Sequence, residues 1–128
     1  MRFVFLTAAM ACNNIEGTWT GTSYDGNELP AEDCSGIGCA EVQSFAMSVE
    51  KNDNDEHVGE YRSKVSVGGF TTVLEFPIQA TQNDDGMWEL VLELGNDTTY
   101  SGDDKWVCDV GGRSMSCEIG VTILFEKE

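Results

Sequence analysis

The residues best able to do chemistry in this chain are its five cysteines, an odd number. Four of them form two close pairs, Cys34 with Cys39 and Cys108 with Cys117, and four cysteines allow three disulfide connectivities. A two-residue hairpin loop at 112–113 would place Cys108 opposite Cys117 at a non-hydrogen-bonded position, where side chains lie closest. The spacings lack the two-residue knuckle of a four-cysteine zinc site. We therefore expect two local disulfides and no metal.

The single histidine and the acidic pairs give catalysis little support. His57 stands beside the turn 52–55, and no nucleophile in the sequence context of a catalytic triad accompanies it. The carboxylate pairs at 84–85 and 103–104 would need a cleft that raises one pKa before they could act as acid and base. The acidic turns could contribute calcium ligands, but none follows the pattern Asp-x-Asp-x-Asp-Gly. The sequence predicts a protein that is not an enzyme and has no cofactor.

The net charge of the chain limits the classes of molecule that could bind to it. The chain has 7 lysines and arginines against 23 acids, a formal net charge of −16. Such a surface repels the phosphates of nucleic acids, so nucleic-acid binding is excluded. Acidic groups spread along a chain usually serve solubility, because like charges keep molecules dispersed. The sharper alternatives are a cation or a basic protein as partner.

The first eleven residues, MRFVFLTAAMA, contain one cation, then an apolar run, then small residues. This order is typical of an export signal. Cys12 follows directly, and the stretch Ala9-Met10-Ala11-Cys12 resembles the lipobox of bacterial lipoproteins, where the cysteine is lipidated. The resemblance implies a signal segment at 1–11, a lipid on Cys12, and a single domain at 12–128 anchored to the bacterial outer membrane or cell surface. The alternative is an N-terminal strand with a free cysteine.

The elements that must position these residues are β-strands, and the stretch 70–94 shows this most clearly. Every second residue from Phe70 to Ala80 falls on one face of an extended chain, and the alternation resumes from Trp88 to Leu94. Strict alternation predicts strands that are buried on one face only. The residues 83–86 between them have turn chemistry. The sequence predicts an antiparallel hairpin with one apolar face.

Five further strands are predicted, at 15–24, 42–51, 57–67, 105–110 and 114–125, with an eighth strand if 98–102 also pairs. The segment 25–40 is predicted as a long loop, and no stretch has a helical period. Consecutive strands joined by short turns predict an all-β, antiparallel up-and-down meander of seven to eight strands. A meander with one apolar face can close into a barrel, with its last strand beside its first. An open sandwich is the competing architecture.

The first strand contains Gly17-Thr18-Trp19. A Gly-x-Trp on the first strand of an exported meander barrel resembles the signature of the lipocalins and the wider calycin group. The resemblance implies a barrel whose tryptophan plugs the closed end, covered by a basic residue. The sequence does not identify this basic residue. Lys127 is the only cation near the C-terminal end of the chain. We expect Trp19 to be buried against the last strand near 121–125.

The barrel interior is the predicted binding site. A barrel of about eight strands either packs solid or holds one small ligand. The first hypothesis is that the barrel binds a small apolar molecule in its interior. The second is that the chain is a structural or interaction lipoprotein with a filled core. Such a lipoprotein would bind a protein such as a secreted basic enzyme through its acidic surface and the loop 25–40. A void inside would favour the first hypothesis and a solid interior the second. The candidate interior residues are Trp19, Phe45, Tyr61, Ser63, Thr72, Phe76, Trp88 and Trp106.

Overall fold

The structure is a computed structural model that describes residues 14–34, 38–94 and 104–128. Among these residues no helix is long and apolar enough to cross a membrane. The described chain forms ten strands: β1 (Gly17–Tyr24), β2 (Asn27–Glu28), β3 (Ala31–Asp33), β4 (Ala40–Lys51), β5 (His57–Val67), β6 (Phe70–Gln82), β7 (Trp88–Leu92), β8 (Lys105–Gly111), β9 (Ser114–Glu118) and β10 (Thr122–Lys127).

Eight of these strands close into an antiparallel barrel. Strands β4 to β10 follow one another in chain order, and β1 completes the ring by pairing with both β10 and β4. The predicted all-β meander and its closure are therefore confirmed. The short strands β2 and β3 pair with β1 and β4. They lie inside the segment 25–40, which was predicted as loop throughout.

The eighth barrel strand arises where the sequence predicted one long strand at 114–125. The chain turns back at 119–121, so that β10 pairs with β9 and Ile123 lies opposite Cys117. Paired residues face the same side of a sheet, and a three-residue turn leaves the period of two unbroken. The alternation therefore continues from Met115 to Phe125 and gives no sign of the turn. Gly120, with φ at 102°, is the residue that indicates it. The alternative eighth strand at 98–102 lies outside the described residues.

Two of the turns at one end of the barrel share one design. In the β4–β5 turn, the side-chain oxygen of Asn52 accepts hydrogen bonds from the N–H groups two and four residues later. Asn83 does the same in the β6–β7 turn. Each turn contains one residue with positive φ, Asp55 at 62° and Gly86 at 83°. Residues 14–16, these two turns and the turn 112–113 define the tryptophan end of the barrel, and the turns 68–69 and 119–121 lie at the opposite end.

Both predicted disulfides are confirmed. Cys108 and Cys117 face each other across β8 and β9, with their Cα atoms 4.0 Å apart. The loop between the strands is 112–113, as predicted, and Gly112 has φ at 65°. Cys34 and Cys39 are bonded to each other with a Cα separation of 3.9 Å. The first disulfide lies in the core, whereas the second is exposed.

Candidate functional site

Trp19 anchors the tryptophan end of the barrel. Its side chain is fully buried, and its Nε1 donates a hydrogen bond to the carbonyl oxygen of Ile15 at 2.8 Å. It lies against the last strand, as predicted, and its register partner there is Lys127. The Lys127 ammonium lies 5.3 Å from the centroid of the indole ring. The structure therefore places a cation over the indole ring, a contact that the sequence alone did not establish.

The glycines on either side of Trp19 leave room for two neighbouring side chains. A Cβ on Gly17 would lie 2.6 Å from Cε of Lys127, and a Cβ on Gly21 would overlap the ring of Phe45. Gly17 also has φ at 133°, which a residue with a side chain rarely adopts. The two glycines therefore admit the lysine that covers Trp19 and a phenylalanine of the core.

Seven of the eight predicted interior residues lie inside the barrel, each no more than 6% exposed. They come from strands β1, β4, β5, β6, β7 and β8, so the closure of the sheet brings together residues that are far apart in sequence. The seven are Trp19, Phe45, Tyr61, Ser63, Phe76, Trp88 and Trp106.

Thr72 is the exception, because it is exposed. It occupies an inward position on β6, but the β5–β6 hairpin extends past the barrel wall beside it: in the described chain, β7 pairs with β6 only from Ile78 onward. The inward face of β6 is buried as far as Phe76 and half-buried at Leu74, but it is exposed nearer the turn, where Phe70 is 80% exposed. The alternation of apolar residues continues past the rim, so it cannot show where the rim lies.

The interior is filled by its own side chains. Three aromatic pairs meet edge to face, with ring centroids 4.8 to 5.0 Å apart: Phe45 with Phe125, His57 with Trp88, and Tyr61 with Trp106. A void large enough for water would leave part of each neighbouring side chain accessible, so no such void borders Trp106, Leu90 or either core cysteine, which are 0% exposed. Six of the eight candidate ligand-binding residues belong to one hydrophobic core cluster.

His57 packs at the tryptophan end. Its ring meets Trp88 edge to face, and its Nε2 lies 3.9 Å from a carboxylate oxygen of Glu16. Only 20% of its side chain is exposed. These contacts tie the segment before β1 to the barrel. That the chain is not an enzyme stays a prediction.

A groove on the outer wall between β1, β4 and β5 is a feature that the sequence did not reveal. Its volume is about 580 Å³. Thr18, Ser48 and Glu60 are successive cross-strand neighbours on its surface, and Glu50 lies opposite Val58 in the next row. The groove is lined by Gly17, Thr18, Ser48, Val49, Glu50, Val58, Gly59 and Glu60.

Gly59 explains how the strands come so close at this groove. A Cβ at this position would overlap the carbonyl oxygen of Ser48 on the neighbouring strand. A glycine inside a strand often marks such a close backbone approach. Gly59 interrupts the apolar alternation of β5, and this interruption is the one sequence signal that could have pointed to the groove.

Comparison with known proteins finds no matching family model, no matching curated protein and no matching solved structure. The closed eight-stranded barrel is consistent with the calycin type of fold. Function must therefore be argued from the filled interior, the outer groove and the charge of this chain.

Proposed function

We propose that the protein is an exported, lipid-anchored interaction protein, which binds a basic protein partner through the outside of a filled β-barrel. The observation that carries this proposal is the packing of the interior, where seven of the eight predicted ligand-binding side chains are buried in the core. Small-molecule sites usually have volumes of about 300–1,000 Å³. A ligand of that size would have to displace aromatic side chains from the core.

The net charge of −16 supports a basic partner, because complementary charge steers association and favours the right partner over others. Acidic side chains are distributed over the outer wall of the barrel, on β4 to β10. A closed barrel with a solid core presents them on a rigid surface. Rigidity favours binding, because little conformational freedom is lost when a partner docks.

Export is supported by the two disulfides, since disulfides persist in oxidising compartments. Cys12 is the cysteine left over after both pairs are formed; it lies outside the described residues. Mass spectrometry of the protein extracted from membranes of its native host should find a diacylglyceryl group on Cys12. A soluble native protein that retains Met1 would contradict the lipid anchor.

The experiment that tests the binding mode compares two probes on the purified mature protein. We expect lysozyme, a small basic protein, to bind saturably at low ionic strength and to dissociate as salt is added, because salt screens charges. We expect the neutral apolar dye Nile red to show no saturable binding and no quenching of tryptophan fluorescence. Stoichiometric uptake of the dye without lysozyme binding would contradict the proposal and favour a ligand inside the barrel.

A further inference from the structure

We propose that the groove between β1, β4 and β5 receives an arginine or lysine side chain of the basic partner. This inference rests on the proposed function and locates the contact on the barrel wall. The groove has a volume of about 580 Å³, which is within the range of about 300–1,000 Å³ found for binding pockets. Its lining residues are two acids, two hydroxyl residues, two glycines and two valines, with no cation among them.

The backbone beside the groove is constrained by two glycines, which lie in the same cross-strand row as the buried Val49. No side chain can grow from Gly59 toward β4, since a Cβ there would overlap the Ser48 carbonyl oxygen. Gly17 has φ at 133°, so a side chain is strained at that position too. The groove is therefore a fixed feature of this backbone, and residues at neighbouring positions supply its chemistry.

The two carboxylates of the groove have no side-chain partner in the described part of the chain. Neither Glu50 nor Glu60 takes part in an ion pair or a side-chain hydrogen bond there. Both side chains are exposed, so their charges are held in water and remain available to a partner.

The cations near the groove are engaged with other groups. Lys127 lies beside Gly17, and its ammonium contacts the Trp19 ring and the carbonyl oxygen of Asn14. Arg62, next along β5, pairs with Glu75 at 3.1 Å. Lys51, next to Glu50, lies 4.0 Å from Asp55. None of these three cations pairs with Glu50 or Glu60 in the described chain, so the negative charge of the two glutamates is left for a cation from outside.

The donors of a basic side chain fit this arrangement. Thr18 and Ser48 add hydroxyl oxygens in the same cross-strand row as Glu60, so the groove offers several oxygen acceptors spread over a sheet surface. A guanidinium group carries five N–H donors in a planar fork, and an ammonium group carries three. Calcium fits less well, because it needs six to eight oxygens that converge on one point. No cluster of three metal-ligating side chains forms at this groove in the described residues.

The test uses a hexa-arginine amide peptide as the probe. We expect it to bind the mature protein at low ionic strength, with amide chemical shift changes centred on the groove. The double substitution Glu50→Gln/Glu60→Gln should weaken binding by about tenfold, since two ion pairs of exposed groups are lost. Ser48→Trp, which places a large side chain in the groove without changing charge, should weaken binding as well.

The matched control is Asp109→Asn/Glu126→Gln. These exposed acids line a second, smaller outer concavity of about 250 Å³, formed by β8, β9, β10 and β1. The control changes the net charge equally, and we expect less than a twofold loss of affinity. Circular dichroism melts verify that each variant is folded.

Equal weakening by the two double substitutions would mean diffuse attraction to an acidic surface, which overturns the groove but leaves the proposed function intact. Binding of lysozyme without any binding of the peptide would do the same. Shift changes at the groove that calcium alone produces would identify a metal site and overturn the proposal. If neither lysozyme nor the peptide binds, both the groove and the proposed function are wrong.

Discussion

Truncation of Trp19 to alanine tests the closure of the barrel most directly. The indole is fully buried, and its Nε1 is bonded to the Ile15 carbonyl oxygen at 2.8 Å. Removing a buried tryptophan side chain costs about 3–5 kcal/mol in free energy of unfolding. The lost hydrogen bond adds about 1 kcal/mol, and the lost contact with Lys127 adds about 0.5–1 kcal/mol. The sum is comparable to the total stability of a domain of this size, about 5–15 kcal/mol.

We therefore expect Trp19→Ala to lower the urea midpoint drastically or to leave no folded baseline. Far-UV circular dichroism is the right measurement, because the substitution removes one of three tryptophans and changes the fluorescence signal. Trp19→Phe keeps an aromatic ring but no N–H donor, and should fall between the parent and the alanine variant. Glu89→Ala, on the outer face of β7, is the control and should barely change the midpoint. If Trp19→Ala melts like the parent, the indole is exposed and β1 does not close the barrel.

Two further predictions concern the backbone and the disulfides. Gly59→Ala should destabilise the fold by about 2–4 kcal/mol, because its Cβ would overlap the Ser48 carbonyl oxygen and the strands would have to separate. The control is Gly111→Ala, where a Cβ meets nothing within 4 Å, and it should change thermal stability little. Equal melting temperatures of the two variants would refute the close approach of the strands. Mild dithiothreitol without denaturant should reduce the exposed Cys34–Cys39 bond while the buried Cys108–Cys117 bond stays intact, because thiol–disulfide exchange needs access to a sulfur. Mass mapping of alkylated peptides checks this order, and simultaneous reduction of both bonds would contradict the burial of the second.

The local pattern of the chain was sufficient for most of the architecture. The period of two predicted β4 to β8 within a few residues, and the turn residues predicted the hairpin turns at 52–55 and 83–86. The register of the β8–β9 hairpin followed from a two-residue loop, and it placed Cys108 opposite Cys117. These features depend on neighbours in sequence, because side-chain alternation and turn geometry are set within about ten residues.

The features that the sequence missed depend on residues far apart in the chain. The rim of the barrel lies near Leu74 on β6, and the alternating pattern continues past it to the exposed Thr72 and Phe70. The turn at 119–121 stayed hidden for the same reason: an odd number of turn residues preserves the alternation.

The sequence by itself determined that this chain forms an antiparallel meander with one apolar face, two local disulfides and a strongly acidic surface. These properties depend on residue types and on short spacings along the sequence. Only the tertiary structure decided that eight strands close the ring, that Lys127 covers Trp19, that the aromatic side chains pack in the interior, and that β1, β4 and β5 form a groove on the outer wall. Those outcomes depend on side-chain volumes and on backbone distances between strands that meet when the barrel closes. A local sequence pattern does not contain this information.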